Sequence, residues 1–210
     1  MSILTKKEIA KRVKEGSIGF TPNLDEFQVQ SHSVDLRLGY TFLMHRTWKI
    51  TKKGREALSV SSLVEQRQDF EVVELEEGQY FDLLPGEHIT VSSLESIKMS
   101  DDVMAVLYPR SSVNRRGVSV DLTGIIDAGY EGQLIIPIRN NTSQVVRLYP
   151  GERFCQIVFE SLDEEVVPRK SRHHLKDIVD IPESEDETEM NLILAGKIKE
   201  IKEKHKQELE

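Results

Sequence analysis

Arg110, Ser111 and Ser112 occupy consecutive positions, with Arg115, Arg116 and Gly117 close behind. A guanidinium is a planar cationic fork and a hydroxyl adds a donor of its own, which together match what phosphate oxygens accept. The segment therefore reads as an oxyanion clamp, although an Arg-Ser-Ser tripeptide standing alone is more often a solvated loop. The stretch that follows, Gly124-Ile125-Ile126-Asp127-Ala128-Gly129-Tyr130-Glu131-Gly132, strengthens the first reading. It sets one acid at the end of an apolar run, and its three glycines free the backbone for a tight hairpin that can approach a flat ligand. Asp127 is the candidate general base, and Tyr130 the candidate stacking or steric element.

The elements that must position these groups are short strands. Ser33 to Gly39 alternates, with Val34, Leu36 and Leu38 on one face and Asp35 and Arg37 on the other, and the strand continues from Tyr40 to Trp48. Asp35 and Arg37 read as a cross-face ion pair. Phe70–Leu75, Gln79–Leu84, His88–Ser92, Val103–Tyr108, Leu134–Ile138, Val145–Leu148 and Arg153–Phe159 are further β-like runs separated by turn signals such as Pro85-Gly86 and Pro150-Gly151. That spacing predicts a mainly β domain, a barrel or jelly roll. Pro137 lacks a ladder donor, so its strand is expected at an edge or bulged there. Before this domain, Thr5-x-x-Glu8 has the form of a capping box and opens an amphipathic helix over about Lys6 to Glu15, ended by Gly16. Residues 55 to 68 are polar and poorly periodic, an excursion from the core. The expected division is an N-terminal helix and connection (1–29), the β domain (30–168), a charged linker (169–189) and a C-terminal helical tail (190–210) with Leu194, Ile198 and Ile201 at helical spacing.

With 210 residues and a formal charge of -8, the chain can bury a sizeable core and lacks the basic balance of a general nucleic-acid binder. A basic pocket in an acidic protein points to a small anionic ligand. The single cysteine, Cys155, allows no internal disulfide, and no export segment or membrane span is indicated, so a cytoplasmic location is expected. The adjacent His173 and His174 come without the His-x-Glu and Pro-Cys-x-x-Cys that a zinc nucleobase deaminase requires. No P-loop or nucleophile elbow is present.

Arg110-Ser111-Ser112 with Arg115 and Gly117, then Gly-Ile-Ile-Asp-x-Gly-Tyr-x-Gly, then Gly151-x-Arg153-x-x-Gln156, resemble the superfamily of trimeric dUTP diphosphatases (dUTPases) and dCTP deaminases, over roughly Ser33 to Phe159. The resemblance implies a distorted β-barrel or jelly roll of the dUTPase type, a deoxynucleoside triphosphate substrate, Mg2+ carried on the substrate phosphates, and a homotrimer with each site at a subunit contact. It implies that Asp127 activates the water attacking the α-phosphate, and that Tyr130 packs under the deoxyribose and excludes a 2′-hydroxyl. Arg110, Ser111, Ser112, Arg115 and Gln156 would hold phosphates, with Gly124, Ile126 and Gln133 completing the substrate contacts. SVDLRLG looks like a deaminase motif in which the acid lies near the active site, so Asp35 and Arg153 are supporting residues.

Deaminases of this superfamily use a Glu in the strand after the turn to shuttle protons, and the matching position here is Pro137, which has nothing to titrate. The expected function is therefore a dUTP diphosphatase that forms dUMP and pyrophosphate. The alternatives are a dCTP deaminase, with one or both steps, and a non-catalytic nucleotide-binding homologue. Arg169, Lys170 and Arg172 are candidates for the phosphate contacts of a C-terminal closing motif that the chain lacks.

Overall fold

The computed structural model describes residues 2–58, 70–121, 124–167 and 187–204. Its strands are β1 (Ser2–Ile3), β2 (Gly19–Thr21), β3 (Val34–His45), β4 (Trp48–Thr51), β5 (Gly54–Ala57), β6 (Phe70–Glu74), β7 (Phe81–Leu83), β8 (His88–Lys98), β9 (Val103–Pro109), β10 (Val118–Val120), β11 (Ile125–Ile126), β12 (Glu131–Asn140), β13 (Val146–Leu148) and β14 (Arg153–Ser161). The helices are α1 (Lys6–Glu15), α2 (Ser111–Arg115), α3 (Glu187–Leu194) and α4 (Ile198–Lys204). The architecture is mainly β, as the strand spacing predicts.

The main sheet runs β10-β12-β8-β3-β14-β9-β11 and is antiparallel throughout. Its pivot is β3. The first half of this strand pairs with β14, Val34 opposite Ile157, and its second half lies between β6 and β8, Phe42 opposite both Val73 and Val91. The strand bends where its register with β8 slips between Leu38 and Phe42. Gly39 sits in that bend, and a Cβ there would fall 2.3 Å from Ser92 Oγ, so only glycine lets the two strands approach. The sheet thereby curls around one apolar core. Leu36, Leu38, Phe42, Ile89, Ile97, Leu107, Ile136, Ile138 and Phe159 are all essentially inaccessible within it, and the Phe42 and Phe81 rings stack 4.8 Å apart.

Pro137 sits inside β12 opposite Thr90, without a bulge; the slip in this strand lies earlier, between Gln133 and Ile135. The carbonyl of Pro137 accepts from the Asp121 amide at 2.9 Å, so its missing N–H faces the same side, where β10 has just ended at Val120. The strand is internal in the sheet order, but the proline lies beyond the end of β10, where a ladder donor is dispensable.

Helix α1 begins after Thr5 and ends at Gly16 in the left-handed conformation, as its sequence predicts, but Thr5 makes no side-chain capping bond. Glu8 turns instead to Arg12 at 3.3 Å, and Arg12 reaches both oxygens of Asp102 at 2.8 and 3.0 Å, tying the helix to the turn between β8 and β9. The polar segment after residue 54 begins as strand: β5 pairs with β4 in an exposed hairpin, with the Arg55 guanidinium 4.7 Å over the Trp48 ring. The described part of the expected tail is helical. It forms two short helices that meet at Gly196, with Leu194 and Ile198 exposed within the single chain. His173, His174, Arg169, Lys170 and Arg172 lie outside the described residues. No described helix is long and apolar enough to cross a membrane.

Candidate active site

Strand β9 delivers the basic segment. Pro109 closes the strand, Arg110 caps α2 in an extended conformation with its amide on Phe154 O at 3.2 Å, and Val113 buries the inner side of the short helix. Ser111, Ser112 and Arg115 are left facing a cleft of about 250 Å3, which they line with Arg110, Gln30, Asp35 and Gln156. Register explains the gathering: Gln156 on β14 stands opposite Asp35 on β3 and opposite Tyr108 on β9. Six residues singled out in the sequence thus share one cleft, and Gln30 joins them from the connection before β3.

Asp35 is buried and organises the cationic wall. Its Oδ2 lies 3.3 Å from Arg110 Nε and 3.1 Å from Arg153 Nη1. Arg110 also donates to Arg153 O at 3.1 Å, and Arg153 to Phe27 O at 2.6 Å. Burial pushes the Asp35 carboxyl above its usual range, with Arg110 and then Arg153 pulling it back. The expected pairing of Asp35 with Arg37 is not what forms. Arg37 instead binds Asp25 Oδ2 at 2.6 Å, while Asp35 is taken by the two arginines that β14 and the segment after β9 bring to it. With Asp35 and two arginines holding one another, Arg110 keeps its fork fixed and retains donors for an anion.

Behind this wall stands an acid that the sequence reading passed over. Glu95 is only 1% exposed; Gln28 Nε2 donates to its Oε1 at 2.7 Å and the Arg37 amide to its Oε2 at 2.9 Å. It shares the inward face of β8 with Ile89, Val91, Ser93 and Ile97, but the strand expected from the sequence stops at Ser92, so that alternation is not carried as far as Glu95. Burial raises its carboxyl above the ordinary value of 4.5. The native state then holds a proton that the unfolded chain has lost, and stability falls as pH rises through that interval. Asp25, Asp82 and Asp102 are held below 3.8, so their contribution is lost only at lower pH, as it falls through their native values. Glu95→Gln is expected to flatten the decline above pH 4.5, with part left over from Asp35, when urea-unfolding midpoints are followed upward in pH.

The glycine-rich turn lies elsewhere on the chain. Ile126 on β11 stands opposite Ala105 on β9, which carries Asp127 to the level of Met104. Arg110 is six residues further along, about 20 Å at 3.3 Å per extended residue. The turn is held by Gly129 N on Ser100 O at 3.2 Å and Met99 N on Tyr130 O at 2.8 Å, with Gly129 at φ 73°. Asp127 is exposed at its tip beside Ile125, which is 69% exposed. Ile126 and Tyr130 are buried. The Tyr130 hydroxyl donates to Gln133 O at 2.6 Å, burial raises it to about 12, and Gln133 Nε2 donates to Ser93 O at 2.9 Å. Gly124 contributes its carbonyl to Leu107 N at 3.0 Å. Within one chain, then, the clamp and the acid-bearing turn occupy opposite ends of β9.

The dCTP deaminase-like family model matches residues 3–162. A protein of Methanosphaera stadtmanae named "dCTP deaminase, dUMP-forming" is 39% identical over 163 residues, covering 77% of this chain and 80% of the relative. A protein of the same name from Dictyoglomus thermophilum is 38% identical over 162 residues, covering 76% and 80%. Among solved structures, the 2′-deoxycytidine 5′-triphosphate deaminase of Agrobacterium tumefaciens superposes with a TM-score of 0.58 at 25% identity, covering 75% of this chain and 48% of that one, so the chain spans about half its length. These relatives overturn the expectation of a dUTP diphosphatase. That expectation rested on Pro137, yet a proline removes an acid from one strand position and says nothing of acids on the neighbouring strand. A clamp and a base serve equally well in an enzyme that deaminates before cleaving the phosphate chain.

Proposed function

The chain belongs to the dCTP deaminase-like family, and on that premise we propose that it converts dCTP to dUMP, releasing ammonia and pyrophosphate and consuming one water in each step. The observation that carries this reading is the cleft in which Arg110, Ser111, Ser112, Arg115, Gln30 and Gln156 converge around the buried Asp35. Two guanidiniums with hydroxyl and amide donors suit a triphosphate.

The phosphates occupy this cleft. Asp127 activates the water at the α-phosphate, and Tyr130 lies against the deoxyribose. Because a general base must come within hydrogen-bond reach of the water it activates, a turn about 20 Å along β9 from the clamp serves the clamp of another copy, in the homotrimer that the superfamily resemblance implies. The cleft is lined by arginine, hydroxyl and amide donors beside one buried carboxylate that two arginines already hold. This donor set fits Mg2+ borne by the phosphate oxygens rather than by side chains; the ion would supply charge neutralisation on the leaving pyrophosphate. A cytoplasmic location follows from the nucleotide substrate and from a lone buried cysteine.

Incubation with dCTP and Mg2+, followed by separation of nucleotides and an ammonia assay, is expected to yield dUMP and ammonia in equal amounts. Absence of ammonia release would overturn the reading.

A further inference from the structure

Deamination at cytosine C4 requires a side chain that accepts a proton from water and returns it to the ring and the leaving amine. On β12, which follows the glycine-rich turn, the residues on the face opposite the core are Gln133, Ile135, Pro137 and Arg139. Gln133 is engaged by the β8 main chain, Ile135 and Pro137 cannot titrate, and arginine stays charged. The strands on either side supply what is missing.

Asp121 directly follows β10, and its amide bonds to Pro137 O at 2.9 Å. Val120 pairs with Ile138, so the next residue comes level with Pro137 and shares its outward face. Its carboxylate is 37% exposed, with Oδ2 4.0 Å from Nε2 of His88 on β8, which stands opposite Arg139. Four residues on, the chain reaches Ile125 on β11, ahead of the turn that carries Asp127.

We propose that Asp121, flanked by His88, is the proton-transferring carboxylate of the deamination step, its side chain standing beside the strand position that Pro137 leaves without an acid. The inference rests on the dCTP reading above. Asp121 takes a proton from the attacking water as its oxygen bonds to C4 and the C4–N3 π pair moves onto N3, and passes that proton to N3, where it stays in the product. It then takes the proton of the new C4 hydroxyl and delivers it to the amino group. The C4–N bond breaks with its electron pair on nitrogen, ammonia leaves, and the C4 carbonyl forms. His88, with its Nε2 4.0 Å from Oδ2, is the polar neighbour of that carboxylate.

The test compares wild type, Asp121→Asn and Asp121→Glu. Ammonia release from dCTP is expected to fall about 10²- to 10⁴-fold in Asp121→Asn, with dCTP affinity by calorimetry within about threefold, an unchanged melting temperature, and partial recovery in Asp121→Glu. Ammonia release from Asp121→Asn close to wild type overturns the assignment while the dCTP reading stands. Loss of affinity or folding together with activity also overturns it, since a merely structural residue behaves that way. No ammonia from wild type removes the dCTP reading itself, and this assignment with it.

Discussion

Replacing Asp127 by Asn is expected to stop dUMP formation from dCTP while ammonia release continues, so that dUTP accumulates in place of dUMP and pyrophosphate. Asparagine keeps the size of the side chain and its hydrogen-bonding shape but cannot take a proton from water. Loss of a general base costs about 10²- to 10⁴-fold, roughly 3 to 5 kcal/mol of barrier at 1.36 kcal/mol per tenfold. The turn itself should survive. It is held by main-chain bonds of Gly129 and Tyr130 to Ser100 and Met99, and Asp127 projects from it into solvent. Timed separation of dCTP, dUTP and dUMP gives the result directly. Undiminished pyrophosphate release by the variant would remove Asp127 from the mechanism. Equal loss of ammonia and pyrophosphate would show that the two steps are not divided between Asp127 and Asp121.

Arg110→Ala should weaken the Michaelis complex rather than the chemical step. A hydrogen bond to a charged group contributes about 1.5 to 3 kcal/mol, or about 10- to 150-fold in affinity at 1.4 kcal/mol per tenfold. The structure adds a second cost, because Arg110 Nε is one of two cationic contacts of the buried Asp35. Removing it leaves that carboxylate with Arg153 alone. Arg110→Lys should recover little, since an ammonium lacks the fork that serves Asp35 and a phosphate together. The expected signature is a raised KM for dCTP with a smaller change in kcat, and a KM unaffected by the substitution would take Arg110 out of the clamp.

The two variants also test where the site is assembled. If clamp and turn come from different copies, co-refolding equal amounts of Asp127→Asn and Arg110→Ala chains restores dUMP formation, because about a quarter of the sites in randomly mixed closed oligomers receive both intact residues. Recovery should be absent if each chain builds its own site.

Much of this molecule is legible along the chain. The strands, the helix from Lys6 to Glu15 with its Gly16 stop, and the donor cluster Arg110, Ser111, Ser112 and Arg115 that lines the cleft follow from local patterns: alternation with period two, a left-handed glycine, and clustered donors. Local signals of this kind survive folding because they arise from backbone sterics and side-chain chemistry that neighbours in sequence already decide. Asp127 at the tip of a glycine-rich turn belongs to the same class.

Other features depend on contacts between residues distant in sequence. Asp35 reads as one half of a pair with Arg37, but β14 and the segment after β9 bring it Arg153 and Arg110, more than seventy positions away. Glu95 lies on the same alternating face as Val91 and Ile97, but the turn-bounded run legible in the sequence ends at Ser92, and only pairing with β12 and β3 carries β8 on to Lys98. The substitution of a proline for an acid reads as the loss of a function, when β10 ends so as to set Asp121 beside it. Residue types and their spacing determined which chemistry is available to this protein. The tertiary structure decided which charged groups meet, because antiparallel pairing and the connections packed on it bring together residues that sequence order keeps far apart.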